Sequence, residues 1–166
     1  DRNTYIGMLP QRNGWYGRWL DYYRDVRLVP QMKRAAANGL LSAKRQTRFE
    51  RLLERLDQWI PNDCFPSLLH GDLWGGNWLP GPGGVPYLID PSVFYGHYEL
   101  EIAFTELFGG FPPQFYASYQ ELMPLSSEYH ERKPLYQLFY LLVHLNLFGE
   151  AYGTAVDRVL ERYAGE

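Results

Sequence analysis

Cysteine is almost absent: Cys64 is the single one among 166 residues. That excludes an internal disulfide framework and fits a reducing compartment, so a cytoplasmic protein is expected, with the thiol acting as a small buried hydrophobe. Basic excess is missing too. Sixteen Lys and Arg stand against nineteen Asp and Glu, a formal charge of −3, and no basic stripe runs along the chain, which argues against nucleic acid or an anionic membrane as the main partner. The most apolar run, Leu135 to Leu147, is broken by Gln137, His144 and Asn146 and falls short of the roughly 20 residues a bilayer span needs. The first residues carry no basic stretch leading into an apolar one. His97, His130 and His144 have no zinc-ligand spacing, and neither an H-E-x-x-H nor a G-x-S-x-G motif occurs, so zinc-protease and serine-hydrolase chemistry are disfavoured.

What is present is ordinary globular composition, 46% hydrophobic and 21% charged, enough for one domain over residues 1–166. The pattern is mainly helical with a small β-hairpin, an α+β reading. Trp15 to Ala37 has apolar residues at helical spacing, with Pro30 expected to kink or restart the helix, and Thr47 to Ile60 is amphipathic with Phe49, Leu52, Leu53, Leu56 and Ile60 on one face. Further helices are expected over Glu99 to Phe108, Pro113 to Leu122, Pro134 to Phe148 with Pro in its first turn, and Thr154 to Tyr163. Aromatic residues make up 17% of the chain, and most recur at helical spacing, as core residues do.

The chemistry is concentrated in His70-Gly71-Asp72-Leu73-Trp74-Gly75-Gly76-Asn77 and, after a hairpin, Leu88-Ile89-Asp90-Pro91. Asn77 to Leu79 and Val85 to Ile89 read as strands joined by a Pro/Gly turn, which returns Asp90 toward Asn77. Each piece taken singly is a common turn. Together they match what phosphoryl transfer asks for: a carboxylate, Asp72, to orient and deprotonate an attacking hydroxyl, and hard oxygen ligands, Asn77 and Asp90, for Mg²⁺ on the phosphates of ATP. His70 is expected to hold the loop by hydrogen bonding, and Trp74, between acid and amide, could stack on a sugar face.

These segments resemble the fructosamine (ketosamine) kinases, which are relatives of the aminoglycoside and choline kinases with a protein-kinase-like fold. The resemblance rests on Tyr5-Ile6-Gly7, Gln11-Arg12-Asn13, His70 to Asn77, Ile89 to Glu99, Glu106 to Phe111 and His144 to Gly149. It implies the C-terminal lobe of that fold, with Asp72 as catalytic base, Asn77 and Asp90 as Mg²⁺ ligands, and Trp74 and His144 as walls of the sugar pocket. ATP and Mg²⁺ are the implied cofactors and a free or protein-bound ketosamine the implied substrate. Tyr98 and Glu101 depart from the pattern, which often has a basic residue and usually an Asp there.

The small ATP-covering lobe is expected to lie outside this chain. Lys33, Lys44 and Lys133 all sit in helical or polar contexts, and Gly81-Pro82-Gly83-Gly84 reads as a hairpin turn rather than a phosphate cradle. Surface left uncovered around Tyr5 to Leu9 is expected to promote self-association as a homo-oligomer. Two other readings stay open: a non-catalytic binding or regulatory remnant, and a kinase of another small acceptor such as an aminoglycoside.

Overall fold

A single helix that is apolar on every side organises the molecule. In the computed structural model, which describes residues 2–164, α6 (Tyr129–Phe148) buries Leu135, Tyr136, every residue from Leu138 to Val143, and Leu145. An all-round apolar helix has to be surrounded by other elements. It packs against α4 (Tyr98–Thr105), α2 (Val29–Ala37) and α7 (Gly153–Ala164), while α3 (Ala43–Glu54) lies on α7. The sequence places the start of α6 at Pro134, but the helix begins a turn earlier. Glu128 O accepts from the amides of Glu131 and Arg132, and the Arg132 guanidinium is pinned to Glu99 Oε2 at 2.7 Å and to Trp59 O. Tertiary anchors thereby carry the helix past a proline that local propensity would make its first residue.

The helix expected from Trp15 begins only at α1 (Trp19–Tyr22), whose first amide donates to Asn62 O at 2.7 Å. The chain then passes through a π-helical stretch (Tyr23–Leu28) directly into α2. At Pro30 the regular helix restarts rather than kinks sharply: the widened turn, in which Val29 N bonds back to Arg24 O, ends at Leu28, and Pro30 stands in the first turn of α2. α3 starts earlier than its apolar pattern suggests because Ser42 Oγ caps the Arg45 amide, and it stops at Glu54, short of the expected Ile60, giving way to a 3-10 turn over Leu56–Gln58. Arg45, 4% exposed, then binds Asp157 and Glu150 and ties α3 to α7. α5 (Pro113–Leu122) has the expected bounds.

The strand content exceeds the one expected hairpin. That hairpin is present as β4 (Trp78–Pro80) and β5 (Pro86–Leu88), in the register Trp78↔Leu88. Two further antiparallel ladders join β1 (Thr4–Ile6) to β2 (Leu9–Gln11) and β3 (Pro66–Leu69) to β6 (Phe94–His97). The β3–β6 pairing brings the segments on either side of His70 and Asp90 side by side. Cys64 is half-buried, and burial pushes its thiol up to about 12. Among the described residues no helix is long and apolar enough to cross a membrane.

Where β6 meets α4, buried polar side chains bond to one another. Trp19 Nε1 donates to Tyr136 Oη at 3.0 Å, and Tyr136 Oη lies 2.7 Å from His97 Nδ1. The tyrosine proton therefore goes to Nδ1, which fixes His97 as the neutral tautomer protonated on Nε2. Burial depresses His97 to about 4, against a smaller opposing pull from Glu99. A depressed histidine adds stability above its unfolded value near 6.5 and loses it as pH falls toward 4. The thermal midpoint should therefore drop between pH 6.5 and 4 in calorimetry. His97→Gln, whose carbonyl can still accept from Tyr136, should flatten that part of the profile.

Candidate active site

The His70–Asn77 loop is built from its backbone upward. Glu101, 8% exposed on α4, accepts both the His70 amide (2.7 Å, Oε1) and the Gly71 amide (2.6 Å, Oε2). Tyr140 Oη donates to Gly71 O at 3.1 Å. Gly71 has φ +82°, and a Cβ there would stand 2.1 Å from Ser92 O, so only glycine can let the loop pass this close to the segment after Asp90. His70 uses both ring nitrogens. Nε2 donates to Ile89 O at 2.9 Å, since a carbonyl can only accept, and Nδ1 accepts the Asp72 amide at 3.3 Å. One neutral imidazole thus bridges the Asp72 loop to the strand end that carries Asp90.

Asn77 is 7% exposed, and its Nδ2 donates to Asp72 O at 2.8 Å and to Asp72 Oδ2 at 3.0 Å. The amide orientation follows, because both partners are acceptors, and Oδ1 is left as the side chain's acceptor. Its backbone is bonded on both sides, with Asn77 N donating to Trp74 O and Ile89 N donating to Asn77 O. Asp90 is exposed and is the only non-glycine with positive φ among the described residues, at +50°. Non-glycine residues enter this region at a cost and cluster at functional sites.

Electrostatically, Asp72 is a perturbed carboxylate. Burial raises its pKa, the Asn77 hydrogen bond and the fields of His70 and His144 lower it, and Asp90 raises it again. Asp72, Asn77, Asp90, His70 and His144 are thereby brought into one neighbourhood. His144 donates through Nδ1 to Tyr140 O at 2.8 Å, which leaves Nε2 as acceptor in the neutral ring. Its ring lies among Phe108, Tyr152 and Phe148 at centroid distances of 4.7, 5.0 and 5.6 Å. Trp74 folds back over Gly76, where a Cβ would meet the indole at 2.4 Å, and remains 41% exposed.

Two contributors were not legible as such. Glu101 stands out in the sequence only as a departure from the family pattern, although a carboxylate inside the apolar run Leu100 to Phe104 is a signal for a buried acceptor. Tyr140 looks like any other core aromatic, and its hydroxyl contact with Gly71 spans 69 positions. Among the described residues no group of three or more His, Cys, Asp and Glu side chains could hold a metal alone. A cavity of about 430 Å³ lined by Trp15, Tyr16, Leu68 and Tyr95 contains none of the site residues.

A carboxylate held by an amide in a glycine-bearing loop, a hairpin, and a second carboxylate at its end, all set on a mainly helical α+β body, define the protein-kinase-like class of phosphotransferase folds. The fructosamine kinase sequence profile matches residues 1–166, and the chain belongs to that family. It is 46% identical over 164 residues to the "Probable ketoamine kinase" of Lactiplantibacillus plantarum, covering 98% of this chain and 59% of that protein. It is 40% identical over 160 residues to the mouse "Ketosamine-3-kinase", covering 90% of this chain and 48% of that protein. A solved structure named "putative fructosamine-3-kinase" from Thermobifida fusca superposes with a TM-score of 0.87 at 36% identity, covering 98% of this chain and 56% of that one. The chain thus spans about half to three-fifths of the length of these relatives.

Glu101→Gln tests the loop support. The amide would set an NH₂ group against one of the two backbone donors, leaving it unpaired at a cost of about 1–3 kcal/mol. Hydrogen exchange at the His70 and Gly71 amides should quicken by about tenfold or more, well beyond any change in the centre of α6.

Proposed function

We propose that this chain supplies the acceptor and metal side of an ATP-dependent ketosamine kinase, phosphorylating a sugar hydroxyl of a glycated amine. The observation that carries the reading is the Asp72–Asn77 pair: a half-buried carboxylate with a raised pKa that accepts one hydrogen bond from the Asn77 amide, while the same amide also holds the Asp72 backbone carbonyl, and that feels the charge of Asp90. Family membership and the relatives' names supply the acceptor class.

Asp72 orients the substrate hydroxyl through the oxygen that Asn77 leaves free and takes its proton as the new P–O bond forms. Burial suits it to that task, because a carboxylate of raised pKa is a stronger base than one in water. Asn77 Oδ1 and Asp90 are hard oxygen donors of the kind Mg²⁺ takes in ones and twos, and with no closed metal cage among the described residues the remaining positions suit phosphate and water oxygens. When bound, the metal would neutralise charge on the transferring phosphoryl group. Asp90 is the more accessible of the two ligands, and its left-handed backbone presents the carboxylate at the end of β5. Trp74 offers an exposed indole to an apolar sugar face, and His144 offers Nε2 to a sugar hydroxyl. His70 is a loop bridge, since both of its nitrogens are already engaged.

Three outcomes test this. ADP release with a fructosamine acceptor, measured on the product of the whole reading frame, should fall by about 10²–10⁴ in kcat for Asp72→Asn, with the fold intact by circular dichroism. The base works only when ionised, so kcat/KM should fall on the acid side at a pH above the ordinary carboxylate range. Asn77→Ala removes a hydrogen bond that lowers the Asp72 pKa and should move that limb to higher pH. Mn²⁺ titrated into this chain should bind weakly, and Asp90→Asn should abolish the binding; an unchanged titration would remove Asp90 from the ligand set.

A further inference from the structure

Asp90 occupies a left-handed conformation that a non-glycine residue keeps only when its surroundings over-determine it. From the core side that constraint is visible: Ile89 N donates to Asn77 O at 3.1 Å, Ser92 N donates to His70 O at 2.8 Å, and His70 grips Ile89 O. From the opposite side Gln11, at the end of β2, closes on the same segment. Its Nε2 lies 3.1 Å from Ser92 O, 2.8 Å from Ser92 Oγ and 3.0 Å from Thr4 Oγ1. Gln11 is 4% exposed and Ser92 2%. Two residues after Gln11, Asn13 Nδ2 reaches Val93 O at 3.3 Å, and Asn13 is itself held by Arg27 Nη2 through Oδ1 at 2.6 Å.

Gln11 is retained at a cost, because its Oε1 is buried with no partner among the described residues, and a buried orphan acceptor destabilises the fold. An apolar residue of the same length would fill the space without that cost but could not hold Ser92. Only Pro91 separates Ser92 from Asp90, and its φ is locked, so a shift of Ser92 passes to the Asp90 backbone.

We infer that Gln11 is a positioning residue for Asp90: it is the outer jaw of a clamp, with His70 as the inner jaw, that sets the presentation of the Asp90 carboxylate. The N-terminal β1–β2 hairpin is thereby part of the machinery of the metal side. The inference rests on the reading of Asp90 as a metal ligand for its functional meaning, but the clamp itself can be measured without metal.

Gln11→Met, which keeps length and apolar fit but cannot donate, is compared with Gln11→Glu and with Thr4→Val, which spares both Ser92 contacts. Hydrogen exchange at Ile89 and Ser92, the two bonded amides of the segment, should quicken by about tenfold or more in Gln11→Met, as expected for loss of a buried anchor, while the α6 amides keep their wild-type rates. The Mn²⁺ midpoint should rise several-fold alongside, and Thr4→Val should change neither. If Gln11→Met fails to fold, Gln11→Glu gives the same reading, because it sets acceptor oxygens against Ser92 O. Wild-type exchange at Ile89 and Ser92 in a folded Gln11 variant, acceleration equal to that in α6, or the same effect from Thr4→Val would overturn the clamp. Exchange that responds to Gln11 in a chain whose Mn²⁺ binding ignores Asp90→Asn would uphold the clamp and reject Asp90 as ligand.

Discussion

The arrangement of the site depends on one buried carboxylate. Glu101 lies under the His70–Asn77 loop and gives an oxygen to each of two consecutive backbone amides, those of His70 and Gly71. Burial raises its pKa, and the two amide bonds pull it back. The contact works because peptide donors in a dry setting are strong partners for a charge that would otherwise be very costly to bury. It fixes the plane of the loop two residues before Asp72. Everything downstream, from the Asp72 carboxylate and the Asn77 amide to the His70 bridge toward Asp90, is measured from that fixed point.

A second level of support comes from a single face of α6. Tyr136, Tyr140 and His144 are spaced four apart, so they project from one side of the helix. Tyr136 closes the Trp19–His97 network, Tyr140 holds Gly71 O and stacks on Phe104 at 3.7 Å, and His144 stands near Asp72. A long, largely buried helix is a stiff ruler, and three consecutive turns of it set the heights of the β6–α4 junction, the His70–Asn77 loop and the surroundings of Asp72. The neighbouring Glu99–Arg132 pair, both buried and completed by Ser126, anchors the start of the same helix. Removing one partner of such a pair would leave an uncompensated charge, which is far more damaging than the pair is stabilising.

Much of this was legible along the chain, and the boundary has physical causes. Amphipathic periodicity found the body of α3 though not its ends, start and stop signals found α5, and the Pro/Gly turn between Leu79 and Val85 found the β4–β5 hairpin, because those patterns are local. The start of α6 was misplaced because Arg132 is held by Glu99 and Trp59, partners distant in sequence, and their bonds outweigh the local preference of Pro134. The β3–β6 ladder was invisible for the same reason: Pro66 and His97 have no turn between them to advertise the pairing. Trp15 reads as a helix residue by spacing, yet it is 74% exposed ahead of the helix, stacked loosely on Tyr95.

The sequence by itself determined the family and which polar groups can meet, since the order and spacing of His70, Asp72, Asn77 and Asp90 specify which oxygen and nitrogen atoms a short loop and hairpin can bring together, and that spacing is a property of covalent geometry and turn chemistry. Only the tertiary structure decided how those atoms are held. Glu101, Tyr140, Ser92 and Gln11 act on the site through contacts spanning 30, 69 and 81 positions, and their residue types carry no local signature of such a role. A buried acceptor or donor acquires its meaning from the group it is folded against, and the folded chain alone supplies that partner.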